Sequence, residues 1–143
     1  MELIRSARNN FSVGEEATFG RTFTQEDVET FSTLSGDKNP IHLDENFARE
    51  TRFRGRIIHG LLVASLISTA LGTMLPGPGG VYLSQQLAFR APARVGEQLT
   101  ARVRVTEWDA EKGRITLSTV VVNGDDVQLI IGEAKLVLSS FLK

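Results

Sequence analysis

One short segment of the chain places a carboxylate and an imidazole close together. Asp37 and His42 lie five positions apart, and His42 is one of only two histidines in the chain. Gly36 and Pro40 interrupt any continuous helix there, because proline lacks the backbone N–H that a helix interior needs. A loop of this kind can direct both side chains to one point. A carboxylate and an imidazole that share a water molecule can activate that water as a nucleophile and transfer its proton.

The same spacing also has a purely structural interpretation. Asp and Asn side chains in turns commonly accept hydrogen bonds from backbone N–H groups a little further along the chain. Asp37 could therefore only cap a turn, with His42 solvated beside it. Asn39 is expected to brace the loop through side-chain to backbone hydrogen bonds. The spacing alone leaves both interpretations open.

A second segment, which begins at Gly60, offers backbone groups instead. Apolar and small residues dominate positions 60–75, which predicts a buried helix that is too short and too polar to span a membrane. The first turn of a helix presents N–H groups without partners, and a glycine lets a carbonyl approach them closely. Gly60 could polarise such a carbonyl or merely relieve crowding. His59 is expected to pack or cap beside the helix start.

Other local signals predict the elements that position these segments. Residues 11–23 are expected to hold one short strand. Thr24 and Asp27 form a capping-box pattern, which predicts a helix of about ten residues that ends at Ser35-Gly36. Asp44 is expected to be the N-cap of another short helix rather than a third catalytic acid.

The second half of the chain changes to a two-residue period, which is typical of strands. The clearest alternation of apolar and polar residues runs from Leu99 to Thr106. Asn123-Gly124 predicts a hairpin, and a change of phase after Gly132 predicts a bulge there. A sheet with one apolar face and one long apolar helix is satisfied when the sheet wraps around the helix, as an α+β roll. An uncovered sheet edge favours pairing of two copies.

Composition narrows the functional classes. A length of 143 residues predicts one domain, 1–143, and 41% hydrophobic with 23% charged residues indicates neither disorder nor a membrane protein. The net charge of −1 argues against nucleic acid as a partner. Without cysteine there is no thiol nucleophile, and His42, His59 and carboxylates are too few to predict a zinc site. Met1 to Arg5 lack a signal-peptide pattern, so the cytoplasm is the expected location.

The run FSTLSGDKNPIHLDENFA, from Phe31 to Ala48, resembles the hydratase 2 motif of the MaoC-like family, the (R)-specific enoyl-CoA hydratases. The likeness continues through IHGLLVASL, from Ile58 to Leu66, and spans nearly the whole chain. It implies a hot-dog fold, in which an antiparallel sheet wraps around a long central helix beneath an overhanging loop and short helices. It also implies a homodimer whose two sheets join edge to edge.

The resemblance further implies reversible (R)-specific hydration of trans-2-enoyl-CoA, with the acyl-CoA thioester as the partner. Asp37 would act as the general base on a water that His42 holds, and His42 would relay the proton. The Gly60 N–H would stabilise the enolate. Ser68 aligns with a hydroxyl near the site in related hydratases, although a serine bonded to its own helix is an equal alternative. No metal or redox cofactor is expected, because hydration of a conjugated thioester needs neither and the sequence holds no dinucleotide fingerprint or metal-ligand cluster; coenzyme A enters as part of the substrate.

Two other questions stay open at this point. The same motif would serve an (R)-3-hydroxyacyl carrier-protein dehydratase or a dehydratase of branched thioesters, and a hot-dog thioesterase or a noncatalytic acyl-CoA-binding subunit are further alternatives. Arginines near the two segments could bind the phosphates of coenzyme A. These arginines are Arg52, Arg54, Arg56, Arg90 and Arg94.

Overall fold

The computed structural model describes residues 8–142. The segment Met1 to Arg5, on which the expectation about a signal peptide depends, lies outside this range. The helices are α1 (Gln25–Ser35), α2 (Pro40–Leu43), α3 (Glu45–Arg49) and α4 (Gly60–Thr73). The strands are β1 (Glu16–Arg21), β2 (Gly80–Phe89), β3 (Leu99–Asp109), β4 (Arg114–Val122) and β5 (Gln128–Leu138), followed by a 3-10 helix at Ser139–Phe141.

Side-chain caps define the three helices that precede α4. Thr24 Oγ1 accepts a hydrogen bond from the Asp27 N–H at 3.1 Å, and the Asp27 carboxylate accepts one from the Thr24 N–H at 2.9 Å. Gly36, with φ +83°, ends α1 in the left-handed region that favours glycine. Asn39 and Asp44 cap α2 and α3 with their side chains. The predicted capping box, helix end and Asp44 cap are all confirmed.

One antiparallel sheet, in the order β1-β3-β4-β5-β2, curves around α4. The inward side chains of β3 are completely buried, and α4 buries Leu66, Ile67 and Leu71 against the same face. The outward side chains of β3 are polar, as the alternation predicted. This arrangement confirms the α+β roll and the hot-dog fold.

Helix α4 is buried on one side only. Leu61 is 65% exposed, and Ser65, Ser68 and Gly72 are exposed along the same side. The apolar composition had predicted burial on most faces, but a single sheet covers only the side of the helix that faces it. None of the described helices has both the length and the apolar character needed to cross a membrane.

Strand β2 is an edge of the sheet. It pairs with β5 on one side and has no strand on its other side within residues 8–142. Its predicted apolar alternation is present, but Val81, Leu83 and Phe89 are 40%, 50% and 54% exposed. The two-residue period therefore identifies the strand correctly without revealing that its apolar side chains lie largely uncovered.

The hairpin between β4 and β5 is confirmed, while its details differ from expectation. The left-handed residue is Asp126, with φ +62°, rather than Gly124. The predicted bulge after Gly132 is wrong, because the register between β4 and β5 skips Leu129 instead. A glycine is required at position 132 for a different reason, because a Cβ there would lie 1.8 Å from the Gln86 carbonyl oxygen. The glycine is needed for the close approach of β2.

Candidate active site

Helix α2 carries His42 into the interior, where its ring is held by a backbone group. His42 is 8% exposed, and its Nδ1 lies 2.8 Å from the Ile57 carbonyl oxygen. A carbonyl can only accept a hydrogen bond, so Nδ1 carries the hydrogen and Nε2 keeps its lone pair. Burial lowers the pKa of His42; the Ile57 hydrogen bond opposes this, His59 reinforces it and Asp37 opposes it. His42 is therefore a neutral hydrogen-bond acceptor at neutral pH.

Asp37 lies on the exposed loop that joins α1 to α2. One of its carboxylate oxygens accepts a hydrogen bond from the Asn39 N–H at 3.3 Å, and its own N–H donates to Ser35 Oγ at 3.1 Å. A carboxylate oxygen of Asp37 and a ring nitrogen of both His42 and His59 lie within 4.8 Å of one another. Two hydrogen bonds of about 2.8 Å that meet at one water can span such a gap. The loop and α2 thus bring together the acid and imidazole that the motif indicated.

Gly60 begins α4 beside the same group. Its N–H has no hydrogen-bond partner among the described residues. A Cβ at this position would lie 2.7 Å from the Phe89 ring, so a larger residue would have to displace that half-exposed ring. Glycine therefore avoids crowding at this position, and its unpaired N–H is available to a carbonyl; its role in polarising one stays a prediction.

A cavity of about 330 Å³ opens next to His42 and Gly60. Its apolar walls include Val63, Phe89 and Ile130. The cavity extends between the start of α4, the end of β2 and the start of β5. An elongated apolar group could occupy this space. The imidazole and the unpaired N–H thus face a largely apolar chamber.

Three of the predicted site residues do not line this cavity. Asp37 and Asn39 lie on the exposed loop at its side, and Asn39 braces the loop by capping α2. Ser68 lies on the exposed side of α4, away from His42 and Gly60. Ser68 forms no side-chain hydrogen bond among the described residues, unlike Ser65, whose Oγ donates to the Leu62 carbonyl. The structure therefore brings Asp37, His42 and Gly60 together and leaves Ser68 apart.

Two further groups were not predicted from the sequence as parts of the site. The Ile57 carbonyl orients His42, and a backbone group leaves no signal in the sequence. His59 is 2% exposed and stacks on His42, with ring centroids 3.8 Å apart. The sequence signal for His59 was its place beside Gly60 as the second of two histidines, which indicated packing but no contact with Asp37 or His42.

The three side chains Asp37, His42 and His59 also have to be considered as a metal site. Their possible ligand atoms lie within 4.8 Å of one another. The two rings are stacked with 30° between their planes, so their in-plane lone pairs run side by side rather than converging on one ion. His59 Nε2 is also only 3.1 Å from the Asp37 carbonyl oxygen. This donor geometry does not fit a tetrahedral zinc site.

Two of the five arginines are engaged in holding the fold. Arg94 donates to the carbonyl oxygens of Phe53 and Arg56, the latter at 3.3 Å. Arg56 pairs with Glu45 at 3.0 Å. These bonds fix the segment before α4, so both guanidinium groups have structural roles.

Two other arginines, Arg52 and Arg90, line the cavity. Both are exposed, and no carboxylate of the described residues lies within ion-pair distance of either. Arg54 is exposed and does not line the cavity. The structure thus separates the five arginines into two that brace the backbone, two that lie at the cavity and one that does neither.

Known proteins are similar to this chain in sequence and architecture. Residues 9–128 match the family described as MaoC like domain. The chain is 41% identical over 133 residues to the (R)-specific enoyl-CoA hydratase of Rhodospirillum rubrum, covering 93% of this chain and 92% of that protein. It is 46% identical over 125 residues to the 3-hydroxybutyryl-CoA dehydratase of Methylorubrum extorquens, covering 87% of this chain and 79% of that protein.

The similarity extends to a solved structure. The (R)-hydratase from A. caviae involved in PHA biosynthesis superposes with a TM-score of 0.87 at 40% sequence identity. The match covers 92% of this chain and 99% of that chain. The sheet, the central helix and the overhanging segment therefore all have counterparts in that protein.

Proposed function

The chain belongs to the MaoC-like domain family, and from that membership we propose that it is an (R)-specific enoyl-CoA hydratase. The reaction adds water across the double bond of a trans-2-enoyl-CoA and yields the (R)-3-hydroxyacyl-CoA. Dehydration is the same reaction in reverse. One observation carries the proposal: Asp37 and His42 lie within reach of one water beside a cavity that also presents the Gly60 N–H.

The proposed chemistry begins with that water. His42 Nε2 accepts a hydrogen bond from it, because Nδ1 is occupied with the Ile57 carbonyl. Asp37 acts as the general base, so the water oxygen forms a bond to C3 of the substrate as the double-bond electrons move toward the thioester. The proton removed from the water is passed on through His42 to C2, and the other hydrogen of the water stays on the oxygen bonded to C3. All atoms of one water are thereby added, and neither an oxidant nor a metal enters the balance.

Gly60 would stabilise the intermediate charge. As the electrons move, the thioester oxygen becomes an enolate oxygen, and an N–H without another partner can donate to it. A donor of this kind typically contributes about 3 kcal/mol to lowering the barrier. The Phe89 ring lies over the same glycine and would keep water away from that oxygen.

The cavity walls and the free arginines indicate how the thioester would lie. Val63 and Ile130 offer apolar surface for a short acyl chain. Arg52 and Arg90 are cavity-lining cations without a described carboxylate partner, so we assign them to the phosphates of the coenzyme A moiety. The acyl group would then enter the cavity while the nucleotide stays outside.

A homodimer is part of the proposal. Edge strand β2 carries exposed apolar side chains, including Val81 and Leu83, and presents unpaired backbone groups. Pairing of β2 with β2 of a second copy would satisfy those groups and cover the side chains. Leu83→Lys should then yield a monomer in light scattering at micromolar concentration. Leu34→Lys, at an 83% exposed position on α1, is the matched control that should stay dimeric.

The direct test is an assay with crotonyl-CoA. We expect loss of the enoyl absorbance and formation of (R)-3-hydroxybutyryl-CoA, with chirality determined on the isolated product. An (S) product, or no turnover with enoyl-CoA substrates of several chain lengths, would contradict the proposal. Parallel assays with the crotonyl group on an acyl carrier protein distinguish a carrier-protein dehydratase, and release of free thiol would indicate a thioesterase.

A further inference from the structure

His59 contacts both members of the proposed catalytic pair. Its ring lies between two others: it stacks on His42 at 3.8 Å between centroids and meets Phe31 edge to face at 4.8 Å. The residue is 2% exposed and immediately precedes the helix α4. It takes no part in the chemistry described above, yet it is one of few polar side chains buried in the described interior.

The hydrogen bonds of His59 determine which ring nitrogen carries the hydrogen. Nε2 lies 3.1 Å from the Asp37 carbonyl oxygen and 3.1 Å from Ser32 Oγ. Because the carbonyl can only accept, Nε2 is the donor. Nδ1 is then the unprotonated nitrogen, and it has no hydrogen-bond partner among the described residues. The one hydrogen that the ring can donate is thus directed at the backbone of Asp37.

The Asp37 loop has few other anchors. Residues 33–40 are all exposed, and among residues 8–142 the Asp37 carboxylate accepts a hydrogen bond only from the Asn39 N–H, which belongs to the same loop. The Asp37 N–H bonds Ser35, which is also local. Within the part of the chain that the structure describes, the bond from His59 is therefore the one that ties the backbone of Asp37 to the buried interior.

We propose that His59 is a positioning residue: its Nε2–H holds the backbone of Asp37 at the separation from His42 that a shared water requires, while its ring fills the space between His42 and Phe31. The inference rests on the proposed function. His59 acts through Asp37 and does not itself touch the substrate. The alternative is that His59 only fills space beside Phe31, in which case any side chain of similar volume would serve.

Two substitutions separate the two contacts. His59→Gln keeps an N–H donor near the position of Nε2 but removes the ring, whereas His59→Phe keeps a stacking ring but removes the donor. We expect His59→Phe to lower kcat by about ten- to a hundredfold with KM changed less than about twofold, since misplacement of a reacting group by about 1 Å has effects of this size. His59→Gln should retain kcat within about threefold of wild type, because the donor that positions Asp37 is kept.

Ser32→Ala is the matched control. It removes the other partner of Nε2 while leaving the bond to Asp37, so kcat should stay within about twofold of the wild-type value if positioning of Asp37 is what matters. Retained kcat in His59→Phe, or an equal loss in His59→Gln and His59→Phe, would overturn the proposal.

Coupling to Asp37 gives a second readout. In an Asp37→Asn background, His59→Phe should reduce kcat by less than about threefold, because residues that act through one another are strongly non-additive. A full multiplicative loss would mean that His59 acts independently of Asp37 and would contradict positioning.

Backbone order can be measured without any substrate, so it tests the His59 contact independently of the proposed function. Backbone ¹⁵N order parameters report order on the picosecond to nanosecond timescale. The values for Asp37 and Lys38 should fall in His59→Phe and stay at the wild-type level in His59→Gln. If the wild-type protein hydrates no thioester but these order parameters change as stated, the proposed function fails and the positioning contact stands. Unchanged order in His59→Phe would overturn the contact whatever the reaction is.

Discussion

The two sides of the molecule bury very different side chains. The inward face of β3 consists of Leu99, Ala101, Val103 and Val105, each 0% exposed, and contains no polar group. Ser32, His42 and His59 are three of the four buried polar side chains of residues 8–142, and they lie in one cluster beneath the α1–α2 loop. Packing alone explains the strand, whereas it does not explain the cluster.

The polar cluster is costly to the fold. Burying a polar atom without a hydrogen bond costs about 1–3 kcal/mol, and His59 Nδ1 is such an atom. An apolar side chain of similar size would avoid that cost. Proteins retain such local costs mainly at functional sites, so we infer that chemistry rather than stability determines the residues of this cluster.

The largest effect on turnover is expected from substitution of Asp37. Asp37→Asn keeps the shape and hydrogen-bonding capacity while removing the basic carboxylate, so turnover should fall by about two to three orders of magnitude. The melting temperature should stay within about 1 °C of wild type because Asp37 is exposed and buries no apolar surface. Initial rates and calorimetry on the same preparation measure both quantities.

A second substitution tests whether the two groups act on one water. His42→Ala should cause a loss of similar size, and the double variant should be only slightly worse than the worse single variant. Multiplicative losses would indicate separate roles. If Asp37→Asn turns over almost as fast as wild type, the carboxylate is structural and another group must be the base.

A substitution in the apolar core should have the opposite effect, lowering stability while leaving turnover unchanged. Leu117 is 0% exposed on the inward face of β4, so Leu117→Ala should lower the free energy of unfolding by about 2–5 kcal/mol. Turnover per folded molecule should remain near the wild-type value, since Leu117 does not line the cavity. Urea titration followed by activity assays at low urea checks this. A large loss of turnover in the fully folded variant would show that core and site are coupled.

The sequence predicts the features that depend on local patterns and misses those that depend on tertiary contacts. The β3 alternation and the Thr24–Asp27 capping box are local patterns, so the strand and the helix start were predicted correctly. The exposure of β2 depends on which strand is the edge of the sheet, which no local pattern shows. The bulge was misplaced because Gly132 reflects contact with Gln86, a residue distant in the sequence.

For the site, the resemblance supplied Asp37, His42 and Gly60, and the structure brings these three together. It could not show that the Ile57 carbonyl orients His42, because every residue has a carbonyl and only the fold selects one. Nor could it distinguish Arg94, which bonds backbone carbonyls, from Arg90, which lines the cavity. Those distinctions depend on tertiary contacts between segments that are far apart in the chain.

The two arginines that line the cavity should differ in function from those that brace the backbone. Arg52→Ala and Arg90→Ala should each lower kcat/KM for crotonyl-CoA by about fivefold, a modest effect because exposed charges are screened by water. Crotonyl-pantetheine lacks the coenzyme A phosphates, so its kcat/KM should be unaffected. Arg102→Ala, at an exposed outward position on β3, is the control. Equal losses with both substrates would contradict phosphate binding and indicate a role in shaping the cavity.

The smallest expected effect is on the pH dependence of kcat/KM, through the titration of His42. The pKa of His42 lies below its ordinary value of 6.5, chiefly because burial disfavours the charged ring. Protonation would remove the lone pair that holds the water, so kcat/KM should fall on the acid side with a midpoint below 6.5. Asp37 raises the pKa of His42, so in Asp37→Asn the midpoint of the residual activity should move to lower pH.

The titration of His42 should also make the stability of the folded protein depend on pH. Because the folded protein binds the His42 proton less readily than the unfolded chain, the unfolded chain takes up more protons as the pH falls through and below 6.5. The stability that neutral His42 contributes is present above the unfolded pKa and is lost as the pH falls toward the folded one. His42→Gln should therefore show a shallower decrease in Tm between pH 7.5 and pH 5.5 than wild type. An NMR titration of the His42 ring that gives a midpoint at or above 6.5 would contradict both expectations, since burial would then not be the dominant influence on this imidazole.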